Sequence, residues 1–197
     1  MKQASGTDSP VDAAALDVDR LAVRVQETGD AIGLPCIAVS ADIGSPEPVR
    51  NSSGAPFAET LFRWVDPDLR YWEDRGFALR SFFIQAVRVC SEPFYYAHGR
   101  LETWRRNAAL DAMNRLGPDE RFGVGAAIIA PAYLPGGVIG AVVWATADAD
   151  FPVEPTFSGH APALHALALH FVAAAHDQAA RRSNATPMQL TRPEIQC

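Results

Sequence analysis

The feature that most constrains the fold is a pair of apolar segments in the second half of the chain. They read GVGAAIIAPAY, from Gly123, and GGVIGAVVWAT, from Gly136, and both consist largely of small and β-branched residues. The connecting residues YLPGG supply one proline and two glycines, which favour a tight reversal of the chain. The pattern therefore predicts two strands joined by a turn.

Helices and further strands are predicted on both sides of this pair. Apolar residues recur every three or four positions in the helical segments, and apolar runs bounded by glycine or proline indicate strands. The predicted helices cover residues 10–29, 81–89, 101–116 and 161–182, and the predicted strands cover 36–42 and, more weakly, 48–52. These elements predict an α+β fold: an α/β/α sandwich with a central antiparallel sheet of about five strands flanked by helices, as in GAF- and PAS-like sensor domains.

The 197 residues are expected to hold one domain between two short ends. Residues 1–9 are predicted to be a disordered tail, 10–182 the domain, and 183–197 a polar linker that leads into a further, truncated domain. The net charge of −6 argues against nucleic-acid binding by this segment itself, because neutralising phosphates requires a basic surface. Without an apolar run of about 18 residues or a signal sequence, a cytoplasmic protein is expected.

No catalytic or metal-binding pattern is recognisable in the sequence. The histidines at 160, 165, 170 and 176 step by five or six residues, whereas a metal pair on a helix face needs a step of three or four. Nucleophile elbows, phosphate-binding loops and C-x-x-C pairs are not found. The three cysteines are widely spaced, which fits a reducing compartment. We therefore expect no enzyme activity, no metal and no cofactor.

Aromatic residues are concentrated between Phe57 and Trp104, with charged residues interleaved in RWVDPDLRYWEDRGF. Two interpretations remain open at this point. The aromatic side chains could simply fill the core of a layered domain. Alternatively, they could line a largely apolar cavity, which is how small-molecule sites are usually built.

Several segments resemble the autoinducer-binding domain of LuxR-type quorum-sensing regulators, over roughly residues 12–182. YWEDRGFALRSF, from Tyr71, resembles a tyrosine-containing stretch of that family, and PFYY, from Pro93, resembles its proline followed by an aromatic residue. The closest similarity is RFGVGAAIIAPAYLPGGVIGAVVWATAD, from Arg121. The final LTRPEIQC resembles the start of the family's C-terminal helix-turn-helix domain. The resemblance implies a ligand pocket between sheet and helices, and DNA binding by a dimer through that further domain.

The resemblance also assigns ligand contacts position by position. The family's aspartate, which accepts a hydrogen bond from the ligand amide, falls on Ser81, and the proline after it falls on Phe82. The tryptophan that donates to the lactone carbonyl falls on Asp68, with Trp64 or Trp72 nearby to substitute. A buried amide without its acceptor costs about 1–3 kcal/mol. These replacements make a more aromatic or apolar ligand, or none, at least as consistent with the sequence as an acyl-homoserine lactone.

Two further family positions complete the candidate site. The pocket tyrosine falls on Trp72 and a Ser/Thr of the last strand falls on Val143, while a later aromatic residue is kept at Tyr96. The candidate ligand-binding residues are Trp64, Asp68, Tyr71, Trp72, Ser81, Phe83, Tyr96, Trp104 and Val143.

The leading hypothesis is the sensory domain of a LuxR-type transcription regulator, which binds an acyl-homoserine lactone-like or other apolar signal molecule. It is expected to form a homodimer, with Leu164, Leu167, Phe171 and Ala175 of the 161–182 helix either in the dimer contact or packed on their own sheet. DNA would be bound only through the further domain, and no membrane is involved. The alternatives are a ligand-independent dimerisation module, a LuxR-like orphan regulator with a filled pocket and, least supported, a small-molecule enzyme on a GAF- or PAS-like scaffold.

Overall fold

The computed structural model describes residues 10–45, 47–71, 73, 81–117 and 123–185. The predicted tail 1–9, Trp72 and the LTRPEIQC segment lie outside these residues. The helices are α1 (Pro10–Ala31), α2 (Phe57–Thr60), α3 (Phe82–Val89), α4 (Ala108–Leu116) and α5 (Val153–Ala185). The strands are β1 (Cys36–Ser40), β2 (Phe94–Ala97), β3 (Arg100–Glu102), β4 (Ala126–Tyr133) and β5 (Ile139–Thr146).

The five strands form one antiparallel sheet in the order β1-β5-β4-β2-β3. The hairpin predicted from the two apolar segments is its centre, and Ile128 of β4 lies opposite Trp144 of β5. Gly136 and Gly137 close the turn with φ angles of 82° and 81°, which side chains disfavour and glycine permits. Helices flank the sheet, so the predicted α+β fold with a five-stranded antiparallel sheet is confirmed.

Helices α1 and α5 cover one face of the sheet, which we call the sealed face. Its central strand residues Ile37, Ile128, Val142 and Trp144 are completely buried. Close approach is possible because Gly140 has no side chain: a Cβ there would lie 2.4 Å from Cγ1 of Val172 on α5. The sealed face therefore has the dense packing that makes core substitutions costly.

Three sequence predictions differ from the structure. Residues 48–52 form no strand and take part only in an isolated bridge between Arg50 and Pro56. The helix predicted over 101–116 starts only at Ala108, because Asn107 caps it by accepting from the amides of Ala109 and Leu110, while Arg100–Glu102 pairs with β2 instead. The last helix begins at Val153 and accommodates Pro162, so it is longer at its start than predicted.

Strand β3 lies at the edge of the sheet, where a side chain takes the place of the next strand. The amide of Leu101 donates to Oδ1 of Asn114 at 2.7 Å, and Nδ2 of Asn114 donates to the carbonyl of Leu101 at 2.9 Å. The side-chain carboxamide of Asn114 on α4 thus satisfies the outward-facing N–H and C=O of Leu101. At an exposed edge these groups would be free to pair with another chain.

Replacing Asn114 with alanine is expected to destabilise the domain by about 1–3 kcal/mol, because two hydrogen bonds worth about 0.5–1.5 kcal/mol each are lost. Urea unfolding followed by circular dichroism measures this change. Ala112→Ser, at an exposed position of the same helix, is the control and should leave the midpoint nearly unchanged. Equal midpoints for the two variants would contradict the role assigned to Asn114.

Candidate functional site

The second face of the sheet differs from the sealed face in the size and packing of its side chains. Strand alternation turns Ala38, Ala127, Ala145 and Val143 toward this face, so its middle is built largely from small residues. Val143 is 6% exposed whereas its neighbour Val142, on the sealed face, is 0% exposed, and Ala38 is only partly buried. Ala127, Ile129 and Ala145 are completely buried, so the exposed area of this face is confined to its β1 side, at Ala38 and Val143.

Aromatic side chains surround the small residues of this face. Phe83 and Tyr96 meet edge to face with ring centroids 5.3 Å apart, and Phe82 lies 6.5 Å from Tyr96. On the β1 side, Trp64 and Tyr71 form a second edge-to-face pair at 5.8 Å. We call this arrangement the aromatic recess, with Ala38 and Val143 as its floor and Trp64, Tyr71, Phe82, Phe83 and Tyr96 as its walls.

Ser81, Tyr71 and Tyr96 carry hydroxyl groups in this region. Ser81 is buried at the start of α3, and its side chain makes no hydrogen bond to the helix N-terminus that it precedes. Burial raises the pKa of Tyr96, and burial raises the pKa of Tyr71 further, with a smaller opposing effect from the backbone of Val39. Both phenols therefore stay protonated near neutral pH and can act as hydrogen-bond donors.

The strands contribute no charge to the aromatic recess. None of the residues that β1, β2, β4 and β5 turn toward the second face is ionised near neutral pH, since these positions hold alanine, valine, isoleucine, proline, serine, cysteine, phenylalanine and tyrosine. Burying an unpaired charge on such a surface is costly. The floor is therefore suited to an uncharged molecule.

The structure brings together most of the residues predicted for the site. Trp64, Tyr71, Phe83, Tyr96 and Val143 line the recess, and Ser81 lies beside it at the start of α3. They come from three separate parts of the chain, which the sheet and α3 bring to one face.

Two predicted site residues lie elsewhere, and a third, Trp72, is outside the described residues. Asp68 is exposed. Trp104 is 53% exposed and stacks at 5.4 Å on Phe157 of α5, on the side of the sealed face. Trp104 lies away from the recess because residues 100–102 form a strand rather than the predicted helix.

Sequence reasoning included Val143 but missed Ala38, the other residue of the floor, and one wall of the recess. Ala38 and Ala127 were not predicted because small apolar residues carry no chemical signature, and Phe82 was noted only as the replacement of a family proline. The alternation of residues in IGAVVWAT predicts these two faces. It places Ala141, Val143 and Ala145 on one face of β5, and Val142 and Trp144 on the other.

A second concavity lies near the β3 edge of the sheet and has a different character. It is a groove of about 220 Å³ between β3 and the start of α4. Its arginines face carboxylates: Arg106 lies 3.0 Å from Asp111, Arg105 pairs with Glu92, and Arg100 lies 3.5 Å from Glu102. The groove is polar with locally balanced charge and contains none of the predicted site residues.

Comparison with known proteins identified no relative. No protein-family model matches the chain, and neither the curated proteins nor the solved structures gave a match. Within the described residues, no helix has both the length and the apolar character needed to cross a membrane.

Proposed function

We propose that this chain is the ligand-sensing and dimerisation domain of a cytoplasmic LuxR-type transcription regulator, and that the aromatic recess binds a small uncharged signal molecule. The observation that supports the proposal is the contrast between the two faces of one sheet. One face is sealed by α1 and α5, while the other combines a small-residue floor with five aromatic walls. Concave apolar surfaces with a few polar groups are the usual form of small-molecule sites.

The ligand would act through linkage: its binding shifts equilibria of the protein, and no reaction of the ligand is involved. A molecule that binds the folded domain better than the unfolded one stabilises it by about 2.7 kcal/mol at a concentration of 100 times its Kd. The same preference shifts the population toward the conformation able to bind DNA through a further domain. The hydroxyls of Tyr96 and Ser81 would hydrogen-bond the polar part of the ligand, and the aromatic rings would pack against its apolar part.

A homodimer through α5 would use a different side of the helix from the residues predicted for it. Leu164, Leu167, Phe171 and Ala175 are buried in the core between α5 and its own sheet. They stabilise the domain itself, which was the alternative interpretation of their spacing. A dimer contact would use the exposed positions of α5, which include Ala163, Ala166 and His170.

The uncharged fluorophore N-phenyl-1-naphthylamine tests the proposal, because its emission rises when it leaves water for an apolar site. We expect saturable enhancement with one probe per chain. N-hexanoyl homoserine lactone and 4-phenylphenol, added as competitors, distinguish a lactone-like from an aromatic ligand by which of them displaces the probe at the lower concentration.

The control is the variant Val143→Phe, in which the floor of the recess is filled. If the wild-type chain and this variant give the same emission, the sensing proposal fails and the ligand-independent dimerisation module is favoured. If emission is saturable in the wild type only, the recess is a binding site.

A further inference from the structure

One continuous segment, residues 50–65, runs from the end of α5 to the wall of the aromatic recess. Its first part is a compact loop, in which Oδ1 of Asn51 accepts from the amide of Ala55 at 2.9 Å and NH1 of Arg50 donates to the carbonyl of Gly54 at 2.9 Å. The amide of Asn51 also donates to the carbonyl of Ala55 at 2.8 Å. These bonds within the loop fix its shape.

The loop holds the C-terminal turns of α5 through its backbone carbonyls. Nε2 of Gln178 donates to the carbonyls of Arg50 and Asn51 at 3.3 and 3.2 Å. The guanidinium of Arg182 donates to the carbonyls of Asn51 and Ser52. On its other side the loop is held by α1, because the carboxylate of Asp19 accepts from both the amide and the hydroxyl of Ser52.

The middle of the segment packs on α5 and then reaches the edge of the sheet. The rings of Phe57 and Phe62 each lie 6.0 Å from the ring of Phe171 on α5. The next residue, Arg63, accepts a 2.7 Å hydrogen bond at its carbonyl from the amide of Ile37 on β1. Beyond that bond the chain is on the second face, where Trp64 forms a wall of the recess.

We infer that residues 50–65 act as a mechanical strap, which couples occupation of the aromatic recess to the position of the last turns of α5. The inference rests on the proposed function for its ligand. A molecule that packs on Trp64 moves or restrains one end of the strap, and Phe57, Phe62 and the Arg50–Ser52 carbonyls carry the change to Phe171, Gln178 and Arg182. Coupling between two sites is reciprocal. Removing the hydrogen bonds from Arg182 to the strap therefore also alters the affinity of the recess for its ligand.

Hydrogen exchange followed by mass spectrometry on the full chain tests the strap without any ligand. Trp64→Ala should accelerate exchange of the amides in 49–57 and 176–183 on the order of fivefold, the lower end of typical coupling between sites. Rates are compared with those of residues 126–132 of β4, a central strand that makes no hydrogen bond to the strap and reports global unfolding. Trp104→Ala is the control, because it removes the same side chain from outside the recess. If both variants accelerate amide exchange in residues 176–183 equally, the inference of a strap is overturned.

A second arm of the experiment adds N-phenyl-1-naphthylamine at saturation. We expect slower exchange in both segments of the wild-type chain and of Arg181→Ala, which removes an exposed charge next to Arg182. In Arg182→Ala the probe should still bind, but exchange in 176–183 should no longer respond. If 176–183 responds equally in the two variants, the strap is overturned. If the wild-type chain does not bind the probe, the proposed function fails, and the ligand-free arm still decides whether the strap exists.

Discussion

Val143→Phe is expected to weaken binding of N-phenyl-1-naphthylamine on the order of 100-fold while leaving the domain folded. The new ring would occupy the floor of the aromatic recess, between the aromatic walls, so probe and side chain would compete for the same space. A loss of about 3 kcal/mol in the binding free energy of the probe raises its Kd on the order of 100-fold. Fluorescence titration measures the affinity and urea unfolding measures the stability. Val143 is 6% exposed whereas Val142 is completely buried, so overpacking by the larger side chain should destabilise the domain less at Val143 than at Val142.

The matched control is the same substitution one residue earlier. Val142 belongs to the same strand but is completely buried on the sealed face, against α5. Val142→Phe should destabilise the domain by about 1–3 kcal/mol or more through overpacking. At temperatures where it remains folded it should still bind the probe. Equal destabilisation by the two variants would mean that the second face is packed as densely as the sealed one, and the recess would not exist.

Trp144→Ala should have the largest effect on stability, with a loss of about 3–5 kcal/mol. The indole is completely buried, and its Nε1–H donates to the carbonyl of Val25 at 3.0 Å, which joins β5 to α1. Small domains are stable by only about 5–15 kcal/mol in total, so this variant should unfold at much lower urea concentration.

Trp104→Ala is the comparison for that measurement, because it removes the same side chain from a half-exposed position on the same side of the sheet. It should cost far less stability than Trp144→Ala, and it should leave probe binding unchanged. A similar loss in the two variants would show that burial of Trp144 does not set the stability of the sealed face.

The sequence predicted the central elements of the fold because their signals are local. The hairpin of β4 and β5 follows from two β-branched runs around Pro135, and α3 follows from a short apolar helix pattern. Strand β3 could not be predicted in this way, since Leu101 and Trp104 also fit a helical spacing and the deciding contact comes from Asn114, thirteen residues after Leu101. An edge strand completed by a side chain leaves no periodic pattern.

The sequence predicted most walls of the candidate site and Val143 of its floor, but not Ala38. Aromatic residues such as Tyr96 and Trp64 are conspicuous in a sequence, whereas Ala38 becomes informative only when the register brings it beside Val143. The strap was not predicted either: residues 48–52 were predicted to form a weaker second strand after the strand at 36–42, whereas hydrogen bonds to α1 and α5 fix residues 50–52 as a loop.

Both edges of the sheet have a partner that is not a strand, and this restricts how the domain can assemble. At β3 the partner is the carboxamide of Asn114, and at β1 it is the carbonyl of Arg63 bonded to Ile37, with the hydroxyl of Tyr71 near the backbone of Val39. A second copy cannot extend the sheet at these positions without first displacing those groups. Edge-to-edge growth of the kind that leads to fibrils is therefore disfavoured at both edges.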